Sequence, residues 1–181
     1  MNKQLNHTEY NHEKKKFAVT IVLDNIEHPE NVGSAFLLAD ALGAEKLIIL
    51  DDKDLNKDKS FMKKVSKTSR NCENIVSFEI MKTEEFIKAK PVKIVALEIT
   101  NTSVPLGDIV FSSGEHIFLV VGNEREGVGE KLLALADLTI HIPMCGVNSS
   151  MNVSTALAIA LYEIVKPQNQ NSSLDFTHRR A

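Results

Sequence analysis

The chain has 181 residues, 43% hydrophobic and 25% charged, with a formal net charge of −3. That length suits one domain with a sizeable core, and the acidic balance excludes a bulk polycation coating nucleic acid, although local basic surfaces can still meet phosphate. No apolar run is long enough to cross a bilayer, Met1-Asn2-Lys3-Gln4 opens without the apolar stretch of a secretory signal, and Cys72 and Cys145 make neither a disulfide framework nor a zinc spacing, so the expected home is a reducing cytoplasm with no membrane partner.

Residues 1–16 are polar, end in Lys14-Lys15-Lys16 and read as a flexible basic arm. Residues 17–23 are a buried strand. A helix is predicted over 31–42, with Ala35, Phe36, Leu38, Ala39 and Leu42 at core spacing and Gly43 as its stop; Asn31, at its start, is first of all a cap. A short apolar strand at 46–50 leads into a charged loop at 51–60 and a short helix at 61–66. Residues 75–80 alternate as a strand, 83–88 form a helix capped by Thr83, and 92–99 form the next strand. A loop-rich connection with Pro105, Gly107 and Gly114 spans 101–115. The most apolar strand is 117–121, followed by a helix at 129–136, a strand at 138–142 and a last helix at 152–165. One domain therefore covers 17–166, and a polar tail covers 167–181.

Strands and helices that alternate in this way point to an α/β fold, a mostly parallel sheet with helices on both faces. The last helix is apolar on almost every side, from Val153 through Leu157, Ile159, Leu161 and Ile164 to Val165. Such a helix is buried on more than one side, as it would be between the sheet and a second subunit. Basic residues gather at Lys14-Lys15-Lys16, at Lys63, Lys64, Lys67 and Arg70, and at His178-Arg179-Arg180; each alone reads as a solvated face or a free end.

Two late segments carry the chemistry. Val120 to Val128 is a strand running into a turn bracketed by Gly122 and Gly127, and Ile142 to Ser154 is a strand end, a loop and a helix start. Both put small residues, amides and hydroxyls at the carboxyl end of a strand, where open α/β sheets bind ligands. Gly122 and Gly127 have the glycine spacing of a phosphate-binding loop, but Val128 and Gly129 stand where its lysine and hydroxyl belong. The dinucleotide fingerprint is missing, which disfavours a nucleotide-dependent oxidoreductase. No Ser/His/Asp set is visible, and His28, His116 and His141 have no metal spacing.

Three segments, in order, resemble the motifs of the SpoU (TrmH-type) RNA ribose methyltransferases of the SPOUT superfamily. They are Asn31-Val32-Gly33-Ser34 running to Gly43, then Gly122-Asn123-Glu124-Arg125-Glu126-Gly127-Val128, then Ile142-Pro143-Met144 with Ser150-Met151-Asn152-Val153-Ser154. The resemblance covers about 17–165. It implies a deep trefoil knot near the carboxyl end, which chain-connection rules would not have suggested, and a homodimer that methylates a ribose 2′-hydroxyl of tRNA or rRNA with S-adenosylmethionine. By motif position, Gly122, Ile142 and Met151 contact the cofactor and Leu97 is a further wall. Asn31, Glu124, Ser150 and Asn152 match site positions: Asn31 and Asn152 for hydrogen bonds to ribose or phosphate, Glu124 for orienting a donor across the dimer interface.

One position departs from the pattern. The family places an arginine six residues after the motif asparagine to help the hydroxyl lose its proton, and here that residue is Leu37. Leucine can neither accept a proton nor pair with phosphate. Arg70 is the candidate to enter the site instead, with phosphate anchoring its easier role, because a guanidinium stays protonated. The leading expectation is an RNA 2′-O-methyltransferase acting most readily on tRNA. The competing one is an RNA-binding protein of the same fold with impaired catalysis.

Overall fold

Alternation along β1 (Phe17–Asp24) divides the core into two layers. Val19, Ile21 and Leu23 point to one side of the sheet and Val22 to the other, all of them buried. The structure, a computed structural model, describes residues 3–6, 9, 13–89, 91–112 and 114–170. The further strands are β2 (Ala44–Leu50), β3 (Ser77–Met81), β4 (Ile94–Leu97), β5 (Val104–Pro105), β6 (Ile117–Val121) and β7 (Leu138–His141). They are ordered β3-β2-β1-β6-β4-β7-β5, and each pairing is parallel. Strands covered on both faces carry near-continuous apolar runs, as β1, β2 and β6 do.

Helices α1 (Pro29–Leu42), α2 (Lys59–Ser69) and α5 (Val153–Gln170) cover the first face, with Phe36, Val65, Leu157 and Leu161 in its core. Helices α3 (Thr83–Lys88) and α4 (Glu130–Leu135) cover the second, through Phe86 and Leu132. Leu23, Val121, Leu97 and Ile140 lie level across β1, β6, β4 and β7. Their carboxyl ends therefore finish on one edge.

Several boundaries move from those the sequence suggests. Helix α1 starts at Pro29, whose missing N–H suits a first helical position; His28 is the N-cap and Asn31 is not. Helix α2 extends to Lys59 and Ser69 because Asp58 accepts from the Ser60 N–H and caps it. Strand β3 excludes Ile75, which is 66% exposed beyond a short 3-10 turn. The cap of α3 is Lys82, while the Thr83 hydroxyl donates to Asp52 instead. Strand β4 is shorter than 92–99, leaving Val92 and Ile99 exposed. Helix α5 runs on through Pro167 to Gln170 rather than stopping at 165. Within the single chain α5 packs through Leu157, Leu161 and Ile164 on the sheet, while Ile159 and Tyr162 are 38% and 55% exposed. His178, Arg179 and Arg180 lie outside the described residues. No described helix is long and apolar enough to span a membrane.

Candidate functional site

The turn after β6 is built by its own side chains. Asn123 and Gly127 exchange backbone hydrogen bonds at 3.0 Å. The Asn123 side-chain oxygen accepts from the N–H groups of Arg125 (2.9 Å) and Glu126 (3.3 Å), and its amide donates to the Asn25 carbonyl at 2.7 Å. Gly127 is left-handed, φ 71°, and the Glu98 carboxylate occupies the space a Cβ would need. That carboxylate accepts from the Val128 and Ile99 N–H groups at 2.9 and 2.8 Å. A Cβ on Gly122 would collide with the backbone of Gly127 and Val128. Both glycines are therefore steric requirements of this turn.

Asn31 joins the three sequence segments. Its amide donates to Glu124 at 2.7 Å, and its oxygen accepts from the Asn152 amide (3.1 Å) and the Ser154 hydroxyl (3.0 Å). The Glu124 carboxylate also accepts from the N–H groups of Glu27 and His28, both at 3.2 Å, at the positive end of α1. Asn152 in turn caps α5, accepting from the Ser154 N–H at 2.8 Å. Sequence position suggested that Asn31 reaches out to a substrate; the geometry engages it among its neighbours.

Behind this junction a cavity of about 340 Å³ opens at the ends of β4, β6 and β7, within the range of nucleotide-sized sites. Leu97, Gly122, Glu124, Ile142, Ser150, Met151 and Asn152 all line it. Ile142, Ser150 and Met151 stand outside the strands and helices and take no part in the turn and loop hydrogen bonds among the described residues, so their main-chain groups are open to a ligand; Gly122 directly continues β6, whose Val121 is paired with both Leu23 and Leu97. Asn31 lies outside the lining. So do Arg70, the exposed left-handed cap of α2 (φ 53°), and Leu37, half-buried against the core. The lining also includes Glu98 and His141, which sequence reading passed over. Each directly adjoins a chosen residue, Leu97 or Ile142, and that adjacency was the available signal. The His141 Nδ1 lies 3.0 Å from the Ser103 hydroxyl.

A second depression, at the end of β1, is lined by Asp24, Asn25, Asp52, Thr83, Glu84, Gly129 and Lys131 among others. Asp24, 4% exposed, accepts from the Gly129 N–H at 2.7 Å and the Asn25 amide at 2.9 Å. Burial pushes its carboxyl above the ordinary aspartate range, against the pull of those two donors. Burial acts on Asp52 the same way, but the N–H and hydroxyl of Thr83 and the Asn25 amide outweigh it and hold that carboxyl low. Among the described residues no cluster of His, Cys, Asp and Glu is arranged to hold a metal ion.

Residues 18–162 match the model of the SpoU rRNA Methylase family. The Escherichia coli K12 tRNA (guanosine(18)-2′-O)-methyltransferase is 27% identical over 160 residues, covering 86% of this chain and 66% of that protein. A tRNA-modifying enzyme of the TrmH/SpoU type from A. aeolicus superposes with a TM-score of 0.74 at 25% identity, covering 88% and 79%. An AdoMet-bound rRNA methyltransferase from Sinorhizobium meliloti shares the fold, with a TM-score of 0.75 at 24% identity, covering 86% and 59%. The chain spans 61–62% of the length of several curated relatives it matches.

Proposed function

The chain belongs to the SpoU rRNA methylase family, and from that premise we propose that it is an S-adenosylmethionine-dependent RNA methyltransferase acting on a ribose 2′-hydroxyl, of tRNA in the first place and of rRNA as the alternative. The observation that carries this reading is the convergence of Gly122, Ile142 and Met151 on one cavity, with the main chain of Ile142 and Met151 outside any turn or loop hydrogen bond among the described residues. An adenosine moiety needs backbone donors and acceptors in a snug slot, and the Escherichia coli relative is a tRNA (guanosine(18)-2′-O)-methyltransferase.

Gly122, Ile142 and Met151 would hold the cofactor through main-chain groups, with Leu97 as an apolar wall. When bound, S-adenosylmethionine supplies an electrophilic methyl carbon. The chain's own task is to aim the ribose oxygen at it, since alignment supplies much of the acceleration. Ser150 and Asn152 are the polar side chains at the cavity mouth that suit this task. In this reading Asn31 positions Glu124 and Asn152 rather than touching the ribose itself, and Glu124 fixes the turn after β6 on α1. Arg70, the cap of α2, anchors a phosphate of the RNA outside the cavity.

The same reading includes a trefoil knot formed by the 122–129 and 142–152 segments, a homodimer seated on the exposed Ile159 and Tyr162 of α5, and residence in the cytoplasm. The last helix and the adjoining loops support the dimer, because an apolar face of this kind seeks a partner.

A second reading is favoured by Leu37, an apolar residue packed on the core where the family has arginine. It gives an RNA-binding protein with impaired catalysis. A labelled methyl-transfer assay on bulk tRNA, with the native chain beside Leu37→Arg, separates the two. Transfer by both chains is expected. Transfer by the arginine variant alone establishes the second reading, and transfer by neither, to tRNA or in a parallel assay to rRNA, removes the first.

A further inference from the structure

We propose that the outer face of α2 is the surface on which this chain docks the phosphodiester backbone of its RNA, an inference that rests on the RNA-directed function above. Lys59, Lys63, Lys67 and the capping Arg70 fall on one stripe of the helix, and Lys64 flanks it; all are exposed. At 1.5 Å per residue the stripe is about 16 Å long, enough to face several phosphates of one strand.

The state of these charges sets them apart. Most described lysines elsewhere are paired with a carboxylate, among them Lys46 with Glu79, Lys53 with Glu27, Lys93 with Glu115 and Lys131 with Glu84; Lys14, Lys16 and Lys88 are the exceptions. Lys59, Lys63 and Lys67 have no carboxylate partner among the described residues. The acids nearest to them in sequence are otherwise engaged. Asp58 caps α2 and feels Lys64, and Glu73 accepts from the hydroxyls of Ser66 and Ser69. A chain of net charge −3 thus leaves a row of cations unneutralised on one helix, the footprint expected for a polyanion.

The stripe is also well placed. The carboxyl end of α2 packs on the first turns of α1: a Cβ on Gly33 would lie 2.6 Å from the Thr68 Cβ and 2.7 Å from the Val65 carbonyl oxygen. Gly33 is two residues from Asn31, which ties α1 to the cavity wall. A strand lying along α2 therefore runs toward the mouth of the site. A lipid surface fits less well, because the apolar side of α2, through Phe61 and Val65, is packed on the core and has nothing to insert.

The test uses the full chain, fluorescent bulk tRNA and anisotropy over a potassium chloride series. The triple substitution Lys59→Gln, Lys63→Gln, Lys67→Gln is expected to weaken binding about 10-fold or more near physiological salt. It should flatten the slope of log K against log salt by about 2, at roughly 0.7 per lost phosphate contact. Lysine-to-arginine changes at the same positions should keep native affinity and slope. Coincident isotherms and slopes for native and glutamine chains overturn the proposal, as does loss of binding to phosphatidylserine vesicles with tRNA binding intact. Calorimetry with S-adenosylmethionine runs beside it. Cofactor binding with coincident tRNA isotherms sinks the docking surface and spares the methyltransferase; a tRNA defect without any cofactor binding by the native chain does the reverse.

Discussion

Two depressions sit on the same edge of the same sheet, and their chemistry is opposite. At the ends of β4, β6 and β7 the walls combine engaged groups, such as Glu98 and Asn123, with Ile142, Ser150 and Met151, whose main chain takes no part in turn or loop hydrogen bonds among the described residues. At the end of β1 nearly every polar group already has a partner. Asn25 donates to Asp24 and Asp52, Thr83 donates to Asp52 through both N–H and hydroxyl, Gly129 donates to Asp24, and Lys131 pairs with Glu84. Position at the carboxyl edge gives a hollow. What makes a hollow receptive is main chain left open by small residues, and what makes one structural is a closed circuit of side chains.

The sharpest way to break this contrast is Gly122→Ala. The methyl group would strike the backbone of Gly127 and Val128, and overpacking of about 1–3 kcal/mol concentrated on the cavity wall translates to a loss of about 5- to 150-fold in S-adenosylmethionine affinity by calorimetry. Unchanged affinity would mean that this turn is not the wall of a cofactor site. Asn31→Ala comes next. It removes the partner of Glu124, Asn152 and Ser154 together, and urea denaturation is expected to show a loss of about 1–3 kcal/mol. Cofactor affinity should fall less than for Gly122→Ala, because Asn31 stands behind the lining.

The smallest effect belongs to the other depression. Asp24→Asn should leave cofactor affinity unchanged. Burial raises the Asp24 carboxyl in the folded chain, so folding takes up a proton there. The associated stability is fully present below the unfolded aspartate range and is lost as pH rises through the raised folded value. The asparagine variant has no such proton, so the stability difference, native minus variant, should decline between acid and neutral pH in urea titrations. A difference that stays flat with pH would show that the carboxyl is not perturbed.

Sequence periodicity located the strands well where they are long and covered on both faces. β1 and β6 were legible to within a residue or two because nothing in them except apolar side chains competes for the pattern. It was least reliable where polar side chains bond to their own neighbourhood. Asn31 has the composition of a cap, yet Pro29 begins the helix two residues earlier and frees the amide for Glu124. Thr83 has the same composition and serves Asp52. The lining was legible as far as motif position reached. Gly122, Ile142 and Met151 share the cavity as expected, while Glu98 and His141 were missed because a strand end does not announce which adjoining side chain turns inward. Arg70 caps α2 and lies outside the cavity lining, a placement that depends on where α2 ends and not on the composition of that stretch.

The junction at Asn31 also has a consequence in time. Its partners are Glu124, Asn152 and Ser154, separated from it by most of the chain, and contacts of such long range form late in folding. A ribosome synthesising this polypeptide releases α1 and the first strands long before the residues that complete the junction exist. The hollow is thus assembled in one late event, and a nascent chain cut short before α5 would carry much of the sheet without the wall that Val153 and Ala156 supply.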